Sequence, residues 1–186
     1  MSDSPRRPDA YADLWSTDRD RQNAAYGQVL AAAEGEAPWA YEVWDDVVQH
    51  LAAADNHDRS IAAQLLARLA SSDPERRILR DLPALVAVTR DQRFVTARHA
   101  LQSLWRVGLA GDAQRAALLD ALAARFGEAA DEKNGTLVRY DIAVGLRQLH
   151  DATGDPAVRD RALALIDTEA DAKYRRKYLT AWRGAR

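Results

Sequence analysis

The sequence predicts an all-α fold, and three observations support that class. Ala, Leu, Arg, Glu, Asp and Gln dominate the composition, and no segment of useful length alternates apolar and polar residues with the period of two typical of strands. Apolar residues recur instead at helical spacing, as at Val43, Val47 and Leu51. Helix-start signals such as Asp155-Pro156, an N-cap followed by proline at the first helical position, separate the periodic stretches.

The elements follow from these signals in chain order. Pro38 opens a helix after a Gly-Glu-Ala turn, Asp73-Pro74 opens another, and Asp55 to Asp58 supply turn and N-cap residues. Glycines at 108, 111, 127, 135 and 154 fall between the periodic stretches. The predicted helices cover 9–15, 18–33, 38–53, 58–71, 74–89, 93–107, 112–127, 136–151, 156–168 and 171–183.

Internal repetition predicts how these helices are arranged. Four of these helices share one pattern. A first residue is followed by an apolar or small pair three and four positions after it, and by an apolar residue seven positions after it. The copies begin at Ala62, Ala97, Arg139 and Arg175, so they start 35, 42 and 36 residues apart, with one further amphipathic helix between neighbours. Helix pairs repeating at this period are typical of α-solenoids. We therefore expect about four antiparallel helix pairs in 38–186, with cap helices in 1–37, forming a single compact domain.

Two segments resemble the second helix of a HEAT repeat, of the armadillo type. They are 91–108 (DQRFVTARHALQSLWRVG) and 58–69 (DRSIAAQLLARL), and Pro83 lies within the preceding helix, where HEAT first helices often carry a proline. Tetratricopeptide repeats have a similar period, but their Trp-x-x-Leu-Gly-x-x-Tyr signature is missing. The resemblance implies a HEAT-like solenoid over about 38–183, with an insertion near residue 134, and it implies no activity.

Composition and motifs exclude several classes of function. The 186 residues contain no Cys and carry a net charge of −2, and the mean hydropathy is −0.43 with a pI near 6.1. We expect a cytoplasmic protein without a membrane partner. The four histidines, His50, His57, His99 and His150, lack metal-ligand spacing, and no phosphate-binding loop or nucleophile elbow occurs, so we expect no metal and no cofactor.

The inner face of the second helices is the predicted binding surface. Positions following the aligned residues become polar, aromatic and basic toward the C-terminus. The candidate binding residues are Arg98, His99, Arg139, Tyr140, Asp141, Arg176 and Lys177. A structural alternative remains open, in which Arg139 and Asp141 pair with charges on adjacent repeats while Tyr140 packs between helices.

The predicted function is non-catalytic recognition of a protein partner on this concave face. The alternative is nucleic-acid binding, as in HEAT-like DNA alkylation-repair glycosylases, for which only Trp105, Tyr140 and Asp141 offer analogues of a base-excising site. The segment 173–186 holds six basic residues and no acid, a composition suited to phosphate contact. The same segment also suits a structural cap on the last repeat.

Tryptophans supply two further expectations. Trp39 and Trp44 lie five positions apart on one predicted helix and cannot point the same way, so we expect one of them at the surface. Trp15 precedes the repeats and is expected to cover the first of them.

Overall fold

A computed structural model describes residues 6–185, and within that range the chain is all-α, with no β-strand. Nine α-helices are present in this range: α1 Arg19–Ala32, α2 Ala40–His50, α3 Asn56–Leu69, α4 Ile78–Ala87, α5 Phe94–Ser103, α6 Asp112–Glu128, α7 Gly135–Thr153, α8 Pro156–Asp167 and α9 Ala172–Thr180. Short 3-10 helices cover Asp9–Asp13, Ala70–Ser72, Val88–Arg90, Leu104–Leu109 and Ala129–Asp131.

The described residues pack as two compact units, the first ending at Ala100 and the second beginning at Leu101. In the first unit α1 packs against α3, and α2 packs against both α3 and α4. In the second unit α6 packs against α7 and α8, and α9 packs against α7 and α8. None of the helices between residues 6 and 185 combines the length and the apolar character needed to span a lipid bilayer.

Aspartate caps define where several helices begin. Asp55 accepts a hydrogen bond from the His57 backbone N–H at 2.7 Å, and Asp155 accepts one from Ala157 at 2.9 Å with Pro156 at the first helical position. Both caps confirm the sequence interpretation. Gly154 ends α7 with φ at 67°, the left-handed conformation that favours glycine.

The start of α4 was predicted wrongly at Pro74, because the helix begins at Ile78. Asp73 still accepts a hydrogen bond from the Ile78 backbone N–H at 2.8 Å, but it does so from one turn before the helix. Arg76 adopts a left-handed φ of 56°, which interrupts the backbone between proline and helix. A non-glycine residue in that conformation has no sequence signature.

The tryptophan expectation was also wrong, because Trp39 and Trp44 are both buried, 5% and 0% exposed. The 100° rotation per residue applies only within a helix, and Trp39 precedes the first residue of α2, Ala40. Trp44 Nε1 donates to Asp81 Oδ2 of α4 at 2.9 Å, so this indole joins two helices.

Side-chain hydrogen bonds join residues that lie 30–42 positions apart in both units. Within the first unit, Tyr26 bonds to Gln64 and Trp44 to Asp81, 38 and 37 positions away. Within the second, Arg139 reaches Glu169 at 30 positions and Tyr178 reaches the Thr136 carbonyl at 42. Each of these bonds links one helix to the second helix after it, or to the loop beside that helix.

Leu66, Leu101 and Leu104, which occupy apolar positions of the repeated pattern, are buried with at most 2% exposure. Trp15 lies against α2, where its ring stacks on His50 at a centroid distance of 3.8 Å and its Nε1 donates to Asp46 Oδ2 at 3.0 Å. Trp15 therefore joins the segment before α1 to α2.

Candidate functional site

A cleft of about 220 Å³ opens in the first unit along the exposed sides of α1, α3 and α5. Nine of its eleven lining residues carry an amide, hydroxyl or imidazole group, and the carbon atoms of these side chains, with Ile61 and Val95, supply apolar surface between them. Its lining residues are Gln22, Asn23 and Tyr26 of α1, Asn56, His57, Ser60, Ile61 and Gln64 of α3, and Val95, Thr96 and His99 of α5. None of these lining residues is Asp, Glu, Lys or Arg.

Helical spacing places these side chains together. Asn56, Ser60 and Gln64 occupy every fourth position of α3, so they form one column on that helix. Gln22 and Tyr26 are likewise four apart on α1. The cleft therefore consists of short polar columns on neighbouring helices.

A chain of hydrogen bonds crosses the floor of the cleft from α1 to α5. Tyr26 OH donates to Gln64 Oε1 at 2.8 Å, and Gln64 Nε2 donates to Ser60 Oγ at 3.3 Å and to the Ser60 carbonyl at 3.2 Å. Ser60 Oγ in turn lies 2.9 Å from His99 Nδ1. This chain fixes the amide orientation of Gln64 and couples three helices, which gives the cleft a preorganised floor.

The imidazole of His99 favours its neutral form. Burial lowers its pKa from the ordinary value of 6.5, and the positive charge of the adjacent Arg98 lowers it further. In the neutral ring with Nδ1 unprotonated, that nitrogen accepts the hydroxyl proton of Ser60. The pair resembles a nucleophile beside a base, but Ser60 is only 7% exposed and already accepts from Gln64. The geometry therefore favours a role in the floor of a binding cleft over nucleophilic attack.

Ser60 and Gln64 in the floor are nearly buried, whereas His99 and most of the outer wall are exposed. Asn23 and His57 are exposed, Asn56 is half-buried, and Val95 is 65% exposed, an unusual value for an apolar side chain. Asn56 Nδ2 donates to Thr96 Oγ1 at 3.4 Å, which ties α3 to α5 at the rim. The wall thus offers hydrogen-bonding amides beside one exposed apolar contact.

The structure distributes the seven predicted binding residues between the two units. In the first unit, His99 lines the cleft and Arg98 is its half-buried neighbour. In the second unit, Lys177 places its Nζ 4.9 Å from the centre of the Tyr140 ring, so these two residues do come together. Arg176 is exposed on α9.

Arg139 and Asp141 have internal partners in the second unit. Arg139 Nη1 pairs with Glu169 Oε2 at 2.8 Å and its Nε donates to the Phe126 carbonyl at 2.9 Å, with both charged side chains nearly buried. Asp141 is 4% exposed and accepts a long hydrogen bond, 3.5 Å, from Gln102 Nε2. For Arg139 this is the structural pairing that the sequence left open as an alternative.

Sequence reasoning missed most of the cleft. Of its lining residues, His99 alone is among the binding residues predicted from the sequence. A detectable signal was present in the uncharged polar residues at every fourth position of α3, 56, 60 and 64, facing a similar column on α1.

Among the residues that the structure describes, no group of three or more His, Asp or Glu side chains is arranged to hold a metal ion. No protein-family model matches the chain, and no curated protein matches its sequence. Because fold alone does not define a function, the chemistry of the cleft carries the functional argument.

Proposed function

We propose that the protein is a non-catalytic interaction module that binds an extended segment of a partner protein in the cleft formed by α1, α3 and α5. The helix pairs of each unit are HEAT-like repeats in this proposal. Bonds at separations of 30–42 residues support it, because stacked repeats contact only their neighbours. Pro83 within α4 adds support for the HEAT resemblance.

The observation that carries the function is the uncharged polar lining of the cleft. Asn and Gln side chains donate and accept hydrogen bonds in the same way as the N–H and C=O groups of a peptide backbone. A phosphate backbone, in contrast, is recognised through Lys and Arg, and neither residue lines this cleft. The lining therefore fits a polypeptide better than a nucleic acid.

The spacing of the helices fits an extended chain. Packed helices lie about 8–10 Å apart, so three neighbouring helices span roughly 20 Å. An extended peptide rises about 3.3 Å per residue, so about six residues would cross the cleft. Exposed Val95 beside buried Ile61 would receive one apolar side chain of that segment.

Selection from a displayed library of random dodecapeptides tests this function. We expect the full chain to enrich peptides whose affinity, measured by fluorescence anisotropy, falls about tenfold or more in Val95→Glu, equivalent to about 1.4 kcal/mol. Leu79→Glu is the matched control, because Leu79 is also an exposed apolar residue of the first unit but lies on α4 outside the cleft. Equal binding by the parent and Val95→Glu, or failure to enrich any peptide, would contradict the proposal.

Nucleic-acid binding is the second candidate. The exposed Lys and Arg side chains of α9 are the observation that favours it. Lys173, Arg176 and Lys177 are exposed there, and Tyr174 stacks on Tyr178 at 6.5 Å. Basic side chains next to aromatic rings suit phosphate contact and base stacking. Asp141, proposed as part of a base-excising site, is buried and weakens that particular comparison.

A salt series separates the two candidates. Phosphate contacts release counterions, so binding of labelled DNA or RNA through α9 should weaken steeply with salt and be lost in an Arg176→Ala, Lys177→Ala double variant. Peptide binding in the uncharged cleft should show a weaker salt dependence. Tight nucleic-acid binding at physiological salt that the double variant abolishes would favour the second candidate.

A further inference from the structure

The exposed side of α9 carries positive charge without a neutralising partner. Lys173, Arg176 and Lys177 are exposed on the helix, and Arg183 is exposed in the turn that follows it. Within residues 6–185, none of these four cations is ion-paired with a carboxylate. We call these four residues the basic face. Leu179 lies beside them and is 38% exposed.

The arginines of the two neighbouring helices behave differently. Each arginine of α7 and α8 pairs with a carboxylate, and these arginines are Arg139, Arg147, Arg159 and Arg161. The lysines of the basic face rest instead on aromatic rings, with Lys177 Nζ 4.9 Å from the centre of the Tyr140 ring and Lys173 Nζ 5.6 Å from that of Tyr174. The basic face therefore differs from an ordinary surface of alternating charges.

This arrangement costs α9 stability in the isolated chain. Lys173 lies in the first turn, where the positive end of the helix dipole disfavours a cation. Lys173 and Lys177 are four positions apart, so their charges repel each other on one side of the helix. A negatively charged surface placed against the basic face would relieve both effects.

A face of the opposite charge is present on α2. Glu42 and Asp45 are exposed there, and Val48 is half-buried beside them. In the part of the chain that the structure describes, neither acid is ion-paired. We call Glu42 and Asp45 the acidic face. The sequence shows the same asymmetry, since residues 1–100 contain 12 Lys and Arg against 16 Asp and Glu, whereas residues 101–186 contain 14 against 12.

Two nearby arginines leave the acidic face negative. Arg77 and Arg80 of the following loop and helix interact electrostatically with Asp45. Each of them is already paired with another acid, Glu75 at 3.0 Å and Asp81 at 2.8 Å. The charge of Asp45 is therefore not cancelled within its own unit.

The two faces match in spacing as well as in charge. On α9, a lysine, an arginine and a leucine follow one another at intervals of three positions, at 173, 176 and 179. On α2, a glutamate, an aspartate and a valine follow at the same intervals, at 42, 45 and 48. Each interval corresponds to about 4.5 Å along either helix. In two parallel helices packed side by side, each cation would meet an acid and the leucine would meet the valine.

We propose that the protein associates with itself, with α9 of one copy packed along α2 of the next. The exposed Leu179 favours this polypeptide partner over a nucleic acid, because Val48 offers it an apolar contact that a phosphate backbone lacks. The two faces differ, so the contact is heterologous and leads to a chain or a ring of copies instead of a symmetric dimer. Two short helices form a small interface, so the association is weak and reversible.

Sedimentation velocity of the full chain over a range of protein concentrations tests this inference. At low salt we expect the average mass to rise with concentration, and at high salt we expect the rise to shrink, because the ion pairs are exposed to solvent. Arg176→Glu should weaken association about fivefold or more, since it replaces an attraction with a repulsion. A chain that stays monomeric at every concentration at low salt would overturn the inference.

A charge-reversal experiment tests the pairing of the two helices. Arg176→Glu combined with Asp45→Arg in one chain reverses the proposed ion pair and should restore association. Arg176→Glu combined with Asp20→Arg is the matched control, because Asp20 is an exposed acid of α1 and the net charge of the two double variants is the same. Equal association of the two double variants would contradict the contact between α9 and α2.

Two further measurements separate this inference from the functions proposed above. Val95→Glu, which alters the peptide cleft, should associate like the parent, so either proposal can fail without the other. Labelled DNA and RNA are added in parallel at the same salt concentrations. Nucleic-acid binding that Arg176→Glu abolishes, together with self-association that this variant leaves unchanged, would overturn the inference. Circular dichroism checks the fold of each variant.

Discussion

Two glycine-to-alanine substitutions in the second unit should change stability in opposite directions. An ideal Cβ at Gly135 would lie 1.7 Å from the carbonyl oxygen of Ala129 and 2.9 Å from its carbon. An ideal Cβ at Gly127 meets nothing within 4 Å. Gly135 begins α7 and is buried against the short 3-10 helix Ala129–Asp131, whereas Gly127 is exposed near the end of α6.

The magnitudes follow from these distances. A carbon normally stays about 3.3 Å or more from a carbonyl oxygen, so Gly135→Ala requires a backbone shift of roughly 1.5 Å. Overpacking of this kind costs about 1–3 kcal/mol or more. Gly127→Ala removes the entropic cost of glycine in a helix and should stabilise by about 0.5–1 kcal/mol. The two variants should therefore differ by about 2–4 kcal/mol.

Urea unfolding followed by far-ultraviolet circular dichroism measures this difference, with a thermal scan as a second readout. For a chain of this size each kcal/mol corresponds to a shift of about 2–4 °C in Tm. The shared chemistry of the two substitutions removes any general effect of adding a methyl group. A Gly135→Ala protein as stable as the parent would refute the close approach of α7 to the Ala129 carbonyl.

Three further predictions concern the core, an ion pair and pH. Leu101→Ala should lower the unfolding free energy by about 2–5 kcal/mol through lost burial and a residual cavity, seen as a lower urea midpoint. Arg139→Met should cost about 3–5 kcal/mol, because it leaves the carboxylate of Glu169 buried without its cation, and an unchanged midpoint would contradict this pairing. Because the pKa of His99 is lowered in the folded chain, by burial and by Arg98, the unfolded chain takes up this proton first as pH falls below about 6.5. Stability should therefore fall between pH 7 and 5, and His99→Gln should remove part of that loss in urea titrations at each pH.

The helices were largely predictable because their signals are local. Asp155-Pro156 set the start of α8 to the residue, and the predicted range 112–127 matches α6 within one residue. The predicted helix 93–107 continues in the structure as α5 followed by a 3-10 segment. The start of α4 was missed because the left-handed backbone of Arg76 depends on how the loop packs, which local propensity does not encode.

The cleft was harder to predict because it depends on which helices lie side by side. Ser60 and His99 are 39 positions apart, and their hydrogen bond follows only once α3 and α5 are neighbours. The repeat period indicates that neighbourhood, but the rotation of each helix about its axis decides which side chains meet. Arg139 illustrates the reverse case, since a charged residue expected at a surface forms a nearly buried ion pair with Glu169.

The separation of 30–42 residues between bonded side chains also has a consequence for folding kinetics. Each such bond closes a loop of nearly the same length, so adding the next helix pair costs a similar loss of chain entropy wherever the process starts. Topologies with short sequence separation between contacting residues fold quickly. Amide hydrogen exchange should then be slowest in the most buried helices, α3 in the first unit and α7 in the second, and fastest at the terminal helices α1 and α9.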